Sequence, residues 1–166
     1  MRKNEKSRDG MAANQFGKKI EGVAYQFRMG IHLIVFNSAQ DKILLVSPPN
    51  GSYLLPGGER EDDETHIETL KRESMEELGF DIEAGEYLGK ADEYYYSTHR
   101  KQYYHNPAHF YVSSSWTKIC EPLEDFNTLE WATIPEALRL LKRGSHRWAV
   151  EQLIVLVLNN KRDTYP

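Results

Sequence analysis

Residues 65–79, THIETLKRESMEELG, constrain this chain more than any other segment. Thr65 with Glu68 three residues on is a capping box that starts a helix, and Gly79 stops it. On a wheel of about 100° per residue with Glu73 at zero, Glu76 falls at about −60° and Glu77 at about +40°. Three carboxylates therefore share one face. Ile67, Leu70, Ser74 and Leu78 fall between about +60° and +140°, an adjacent stripe that can pack on a sheet. Arg72, at about −100°, stands beside the acidic face. Like charges three and four residues apart repel, so the face asks for a compensating cation.

The rest of the chain sharpens that demand. Residues 59–80 hold nine acids against Arg60, Lys71 and Arg72, a local charge of −6 in a protein whose net charge is −4. The remainder is slightly basic. A net negative chain excludes a strongly basic nucleic-acid coat. A divalent cation held by oxygen ligands neutralises packed carboxylates, and a solvated acidic helix face is the alternative. At 166 residues and 40% hydrophobic, the chain can bury one domain's core. Its one cysteine, Cys120, offers neither an internal disulfide nor a thiolate zinc cage, which fits a reducing, cytoplasmic setting. No apolar stretch follows the basic start MRKNEKSRDG, so no secretory leader is expected. The longest apolar run, residues 153–158, is far short of the roughly 20 residues of a membrane helix.

Polarity without periodicity marks residues 1–15 as a mobile tail, with Met11 an alternative start, and leaves 16–166 as one domain. Strands are expected over 25–37 and 42–48, then a turn over 47–51, then a short strand at 53–55 stopped by Pro56-Gly57-Gly58. Two longer strands, 86–97 and 108–119, are joined by a polar and aromatic loop. A strand at 129–134 leads into a helix over 135–143, and Ser145 caps a last, mostly buried helix to residue 159. Strands mixed with a few helices imply an α/β or α+β sandwich.

Gly58, Glu64, Arg72, Glu73, Glu76, Glu77 and Gly79, followed by apolar Phe80, together resemble the signature of the Nudix hydrolases, the MutT-like family, at each fixed spacing. At residue usages near 7%, seven such matches arise by chance at roughly 10⁻⁶ over a chain of this length. Ser74 departs from the family's aliphatic preference, on the packing stripe, and Asp63 stands where many members carry Gly. The resemblance implies an α/β/α sandwich with a mixed sheet over most of 20–160. It also implies a small-molecule nucleotide substrate, a nucleoside diphosphate linked to another group such as a dinucleoside polyphosphate or nucleoside triphosphate. Water activated on Mg²⁺ or Mn²⁺ would cleave it, since an acidic site needs metal to hold a polyanion. Glu73, Glu76 and Glu77 are then the metal ligands, joined by a backbone carbonyl near Gly57. One of them, or a loop acid, doubles as the base. Arg72 orients a neighbouring glutamate and Glu64 supports it. The competing class is a silent Nudix fold that senses a nucleotide. A homodimer is left open.

Residues 94–104 combine tyrosines with cations. Tyr94 and Tyr96 are candidates for base stacking, Arg100 and Lys101 for phosphate, and half-buried packing is the plain alternative. His105 and His109 are read as turn and strand residues, because four strand residues span about 13 Å, too far to share an ion. His99 is read as a surface histidine, and Glu93 and Glu121 as low-ranking candidates for an extra ligand or base.

Overall fold

A computed structural model describes residues 14–163. In chain order the elements are β1 (Gln15–Phe16), β2 (Gln26–Phe27), β3 (Gly30–Ile34), β4 (Ile43–Ser47), β5 (Gly57–Glu59), α1 (His66–Leu78), β6 (Phe80–Ser97), β7 (Gln102–Lys118), β8 (Thr128–Ala132), α2 (Ile134–Leu140) and α3 (Gly144–Asp163). The main sheet runs β1-β6-β7-β3-β5, with β2 also paired to β7, and it mixes parallel and antiparallel neighbours. β4 and β8 form a separate antiparallel ribbon.

Side-chain alternation sorts this sheet into two cores. All five residues of β3 are buried, as are all five of β4, which is how strands covered on both faces read. Ile31 and Leu33 face one way and pack with Leu44, Val46, Leu70 and Leu78. Ile34, Ile43 and Leu45 face the other and pack with Phe110, Val150 and Leu153. α1 thus lies on one side of the main sheet, α3 on the other. The chain is the expected α/β/α sandwich with a mixed sheet.

The helix ends follow their local chemistry. α1 has the full Thr65–Glu68 capping box, and α2 has a second one at Thr133 and Glu136 with Pro in its first turn. Gly79 ends α1 at φ 70°, where a Cβ would fall 2.0 Å from the Cys120 carbonyl oxygen, so only glycine fits.

Several expectations need correction. Ile67 is exposed, and Thr69 is buried although the wheel puts it at about −40°, on the acidic side. Residues 53–55 make only isolated bridges, whereas the glycines expected to stop a strand form β5 itself. β6 starts at Phe80, and the residues read as a loop before 108 belong to β7, leaving a tight turn after Ser97. α3 is not mostly buried: Val155, Val157 and Leu158 are exposed. The tail reading of 1–15 and Met11 fall mainly outside the described residues, although Gln15 is in β1. No helix among the described residues is long and apolar enough to cross a membrane.

Candidate active site

β5 brings two glycines against the acidic face of α1. It pairs antiparallel with β3, His32 opposite Gly57 and Ile31 opposite Gly58. Gly57 has φ 136°, and a Cβ there would fall 2.2 Å from the Ile31 carbonyl oxygen. At Gly58 a Cβ would fall 2.3 Å from Glu73 Oε1, so the missing side chain is the space that the Glu73 carboxylate occupies. The Gly57 N–H donates to Glu77 Oε1 at 2.7 Å.

Arg72 ties the cluster together. Its Nε donates to Glu64 Oε2 at 2.8 Å and its Nη2 to Glu64 Oε1 at 3.0 Å, a two-pronged fork. Nη2 also reaches the Glu59 carbonyl at 3.0 Å, while Nη1 donates to Glu73 Oε1 at 2.9 Å and, weakly, to Glu76 Oε2 at 3.4 Å. The fork holds the Glu64 carboxyl down to about 2 and pushes the guanidinium further toward its charged form. Glu73 and Glu77 go the other way. Burial raises Glu73 to about 7 against the pull of Arg72, with Glu76 and Glu124 adding repulsion. Burial raises Glu77 well above the carboxylate range against the Gly57 N–H, with Glu73, Glu124 and Glu76 repelling it.

Two acids pushed toward neutrality mark a place short of positive charge. The donors there are all oxygen, the chemistry that hard divalent cations take. Among the described residues, no three Asp, Glu, His or Cys side chains are already gathered around a single point. Arg72 and the Gly57 N–H hold the oxygens instead. The carboxylates open onto a cavity of about 420 Å³ whose lining also includes Arg28, Arg100 and Glu124.

Glu124 is the acid that sequence reasoning missed. It lies in the loop after β7, its N–H donating to the Glu76 carbonyl at 2.8 Å and its carboxylate accepting from Asn127 Nδ2 at 3.2 Å. No spacing could have found it, because only the packing of that loop against α1 brings it in. The acids considered for the role sit elsewhere. Glu121 is exposed and pairs with Lys118 at 2.8 Å. Glu93 is buried at the start of α3, accepting from the N–H groups of Gly144 and Ser145 and from the Ser145 hydroxyl. It satisfies a helix end, which accounts for its burial. Ser145 is therefore inside the first turn, and the cap comes from another strand.

The hairpin residues divide. Arg100 lines the acidic cavity, and its guanidinium lies 6.0 Å from the Tyr104 ring centre. Tyr94 stacks on His105 at 4.4 Å and meets Tyr25 edge-on. Tyr96 is 47% exposed against Tyr103, and Lys101 occupies the turn with φ 53°. None of these three lines the acidic cavity. Tyr95 does line a neighbouring cavity of about 200 Å³, with His32, Asn106, Arg28 and Arg143. His109 is a strand residue as expected, whereas His105, expected in the loop, also lies in β7: His105 faces Asp92 at 3.4 Å, and His109 Nδ1 meets the Tyr87 hydroxyl at 2.7 Å.

The NUDIX domain family model matches residues 26–153. Among solved structures, the MutT NUDIX hydrolase of Burkholderia pseudomallei is 25% identical with a TM-score of 0.61, covering 76% of this chain and 98% of its own. The dihydroneopterin triphosphate pyrophosphohydrolase of E. coli shares the fold at a TM-score of 0.66 and 18% identity, over 80% of this chain and 98% of its own. A MutT protein of Bacillus halodurans gives 0.60 and 23%, over 75% and 80%. No curated protein matches the sequence. With the family model spanning both cores and the acidic helix between β5 and β6, this chain belongs to the NUDIX domain family and is a Nudix hydrolase.

Proposed function

We propose that this chain is a divalent-metal-dependent pyrophosphohydrolase that cleaves a nucleoside diphosphate linked to another group. The observation that carries the reading is the half-buried pair Glu73 and Glu77, set against Gly58 and the Gly57 N–H and raised by burial, Glu73 even with the Arg72 guanidinium 2.9 Å away. Glu73, Glu76 and Glu77, with the carbonyl at Gly57, are the groups that would hold Mg²⁺ or Mn²⁺. Such an ion supplies charge neutralisation of the diphosphate oxygens and a more acidic water.

The other residues have work that does not depend on where an ion sits. Glu64 locks the guanidinium of Arg72 in one plane, and Arg72 in turn fixes one oxygen of Glu73. Gly58 keeps the Glu73 side free of a Cβ. Glu124, half-buried beside the three helix acids, is the loop acid placed to take the proton as water oxygen bonds to phosphorus. The anhydride P–O bond then breaks and the bridging oxygen leaves with the departing phosphate. The similar E. coli protein is by name a pyrophosphohydrolase of a triphosphate, so phosphoanhydrides are among the first compounds to try.

The test is product analysis with Mg²⁺ against nucleoside triphosphates, dinucleoside polyphosphates, ADP-ribose and nucleotide sugars. Cleavage of at least one is expected, abolished by EDTA and lowered about 10²–10³-fold in Glu77→Gln, the scale of losing one charge-stabilising group. Wild-type turnover by a folded Glu77→Gln would overturn the assignment of that acid. Intact binding without cleavage across the panel would favour a sensor.

A further inference from the structure

The aromatic hairpin is built as a mount for cations. Tyr95 and Tyr104 are register partners on β6 and β7, their rings stacked at 5.5 Å and 27°. The Arg143 guanidinium lies 4.4 Å from the centre of the Tyr95 ring, and that of Arg28 lies 5.4 Å from the centre of Tyr104. Arg100 shares the Tyr104 ring. A guanidinium held near a ring keeps its N–H fork free for an anion. Arg28 is already paired with Glu59 at 2.8 Å. Arg100 and Arg143 have no carboxylate partner among the described residues.

Their placement is continuous. Arg28 and Arg100 share the cavity of the helix acids, and Arg28 and Arg143 share the smaller one, with Gly58 and Glu59 common to both. Beside Arg143, His32 and His146 are driven toward the neutral form, chiefly by burial and in part by this guanidinium. With Arg28 and Glu59 paired to each other, the unpaired charge on that wall is that of Arg143.

We infer that Arg100 and Arg143, mounted on Tyr104 and Tyr95, clamp phosphate groups beyond the bond that is cut, which makes the substrate a nucleotide with three or more phosphates in a row. The diphosphate at the helix acids has its counter-charge there. Two further guanidiniums without carboxylates call for more anion. A ribose or hexose offers neutral hydroxyls, and charge-assisted bonds to phosphate are roughly twice as strong. This inference rests on the pyrophosphohydrolase reading and narrows its substrate.

The experiment compares kcat/KM with Mg²⁺ for ADP-ribose, ATP and diadenosine tetraphosphate in wild type, Arg100→Gln, Arg143→Gln and the mount variants Tyr95→Phe and Tyr95→Leu. Wild type should gain about tenfold or more from two phosphates to three, an increment of about 1.4 kcal/mol. Both arginine variants and Tyr95→Leu should lose that preference through KM on the longer substrates, while Tyr95→Phe keeps it. In ¹H–¹⁵N spectra of wild type, the Nε–H signals of Arg100 and Arg143 should shift with Mg²⁺-tripolyphosphate and not with Mg²⁺-AMP. Equal efficiency for all three substrates, or a proportional loss on all of them in the variants, overturns the clamp. Cleavage of none would overturn the hydrolase reading instead, and the tripolyphosphate shift would still decide whether the clamp exists.

Discussion

Gly58 and Arg72 show how few atoms decide this site. A Cβ at Gly58 would meet the end of a side chain rather than backbone, and Gly58 is not among the glycines with positive φ. Gly58→Ala should therefore fold, with a melting temperature within a few degrees of wild type, yet lose at least about tenfold in kcat as Glu73 is displaced. Steady-state kinetics beside a thermal melt separates the two effects, and an unaltered kcat would show that Glu73 has no such role. Arg72→Lys keeps the charge and loses the fork that grips Glu64, so it should also fall about tenfold or more. At the opposite extreme, His146 accepts the Leu55 N–H on Nδ1 at 3.0 Å and is wholly buried, which keeps it neutral when folded. Unfolded, it takes a proton near pH 6.5. Between that value and the folded range, about 4 for its neighbour His32, the unfolded chain binds more protons. Stability is therefore complete above pH 6.5 and is lost as pH falls, by about 1.4 kcal/mol per unit for each histidine. Urea midpoints at pH 7 and 5 measure this, and the drop should be shallower in His146→Gln.

At the scale of elements, α1 and α3 start by different means. Thr65 caps α1 from the adjacent residue, so Thr65→Ala should cost about 1 kcal/mol in chemical denaturation. α3 borrows Glu93 from β6, and Glu93→Leu leaves buried N–H groups without an acceptor, for a loss of about 3 kcal/mol. The first cap was legible because capping boxes are local in sequence. The second was not, since Glu93 and Ser145 meet only after the sheet and helix dock. The same division runs through the site. Glu64, Arg72, Glu73, Glu76 and Glu77 lie within fourteen residues and were found from spacing. Glu124, Arg28 and Arg143 come from three other segments that only tertiary packing unites. Glycines disfavour strands, so Gly57-Gly58 reads as a strand stop, whereas β5 forms because its backbone pairs with β3. Ile67 falls on the wheel between buried Ser74 and Leu78 and is exposed because it stands in the first turn of α1, and a wheel gives the angle but not the position along the axis.

The whole molecule is a sheet with a core on each side and a site at one opening of it. Acids from α1 form the floor, and arginines from the β2–β3 connection, the turn between β6 and β7 and the segment between α2 and α3 form the wall. Negative floor and positive wall together fit a cation sandwiched against a polyanion, and neither half alone does. Metal that binds only the folded chain must stabilise it by mass action, by about 2.7 kcal/mol at a hundred times its dissociation constant. A thermal melt in Mg²⁺ should therefore lie above one in EDTA, and this rise should shrink in Glu77→Gln. The most direct measurement is a Mn²⁺ titration followed by electron paramagnetic resonance, wild type against Glu77→Gln, with both shown folded by circular dichroism. Saturable binding in wild type, weakened at least about tenfold in the variant, is the predicted result. Equal Mn²⁺ affinity in the two proteins, or none in either, would contradict the account at its centre.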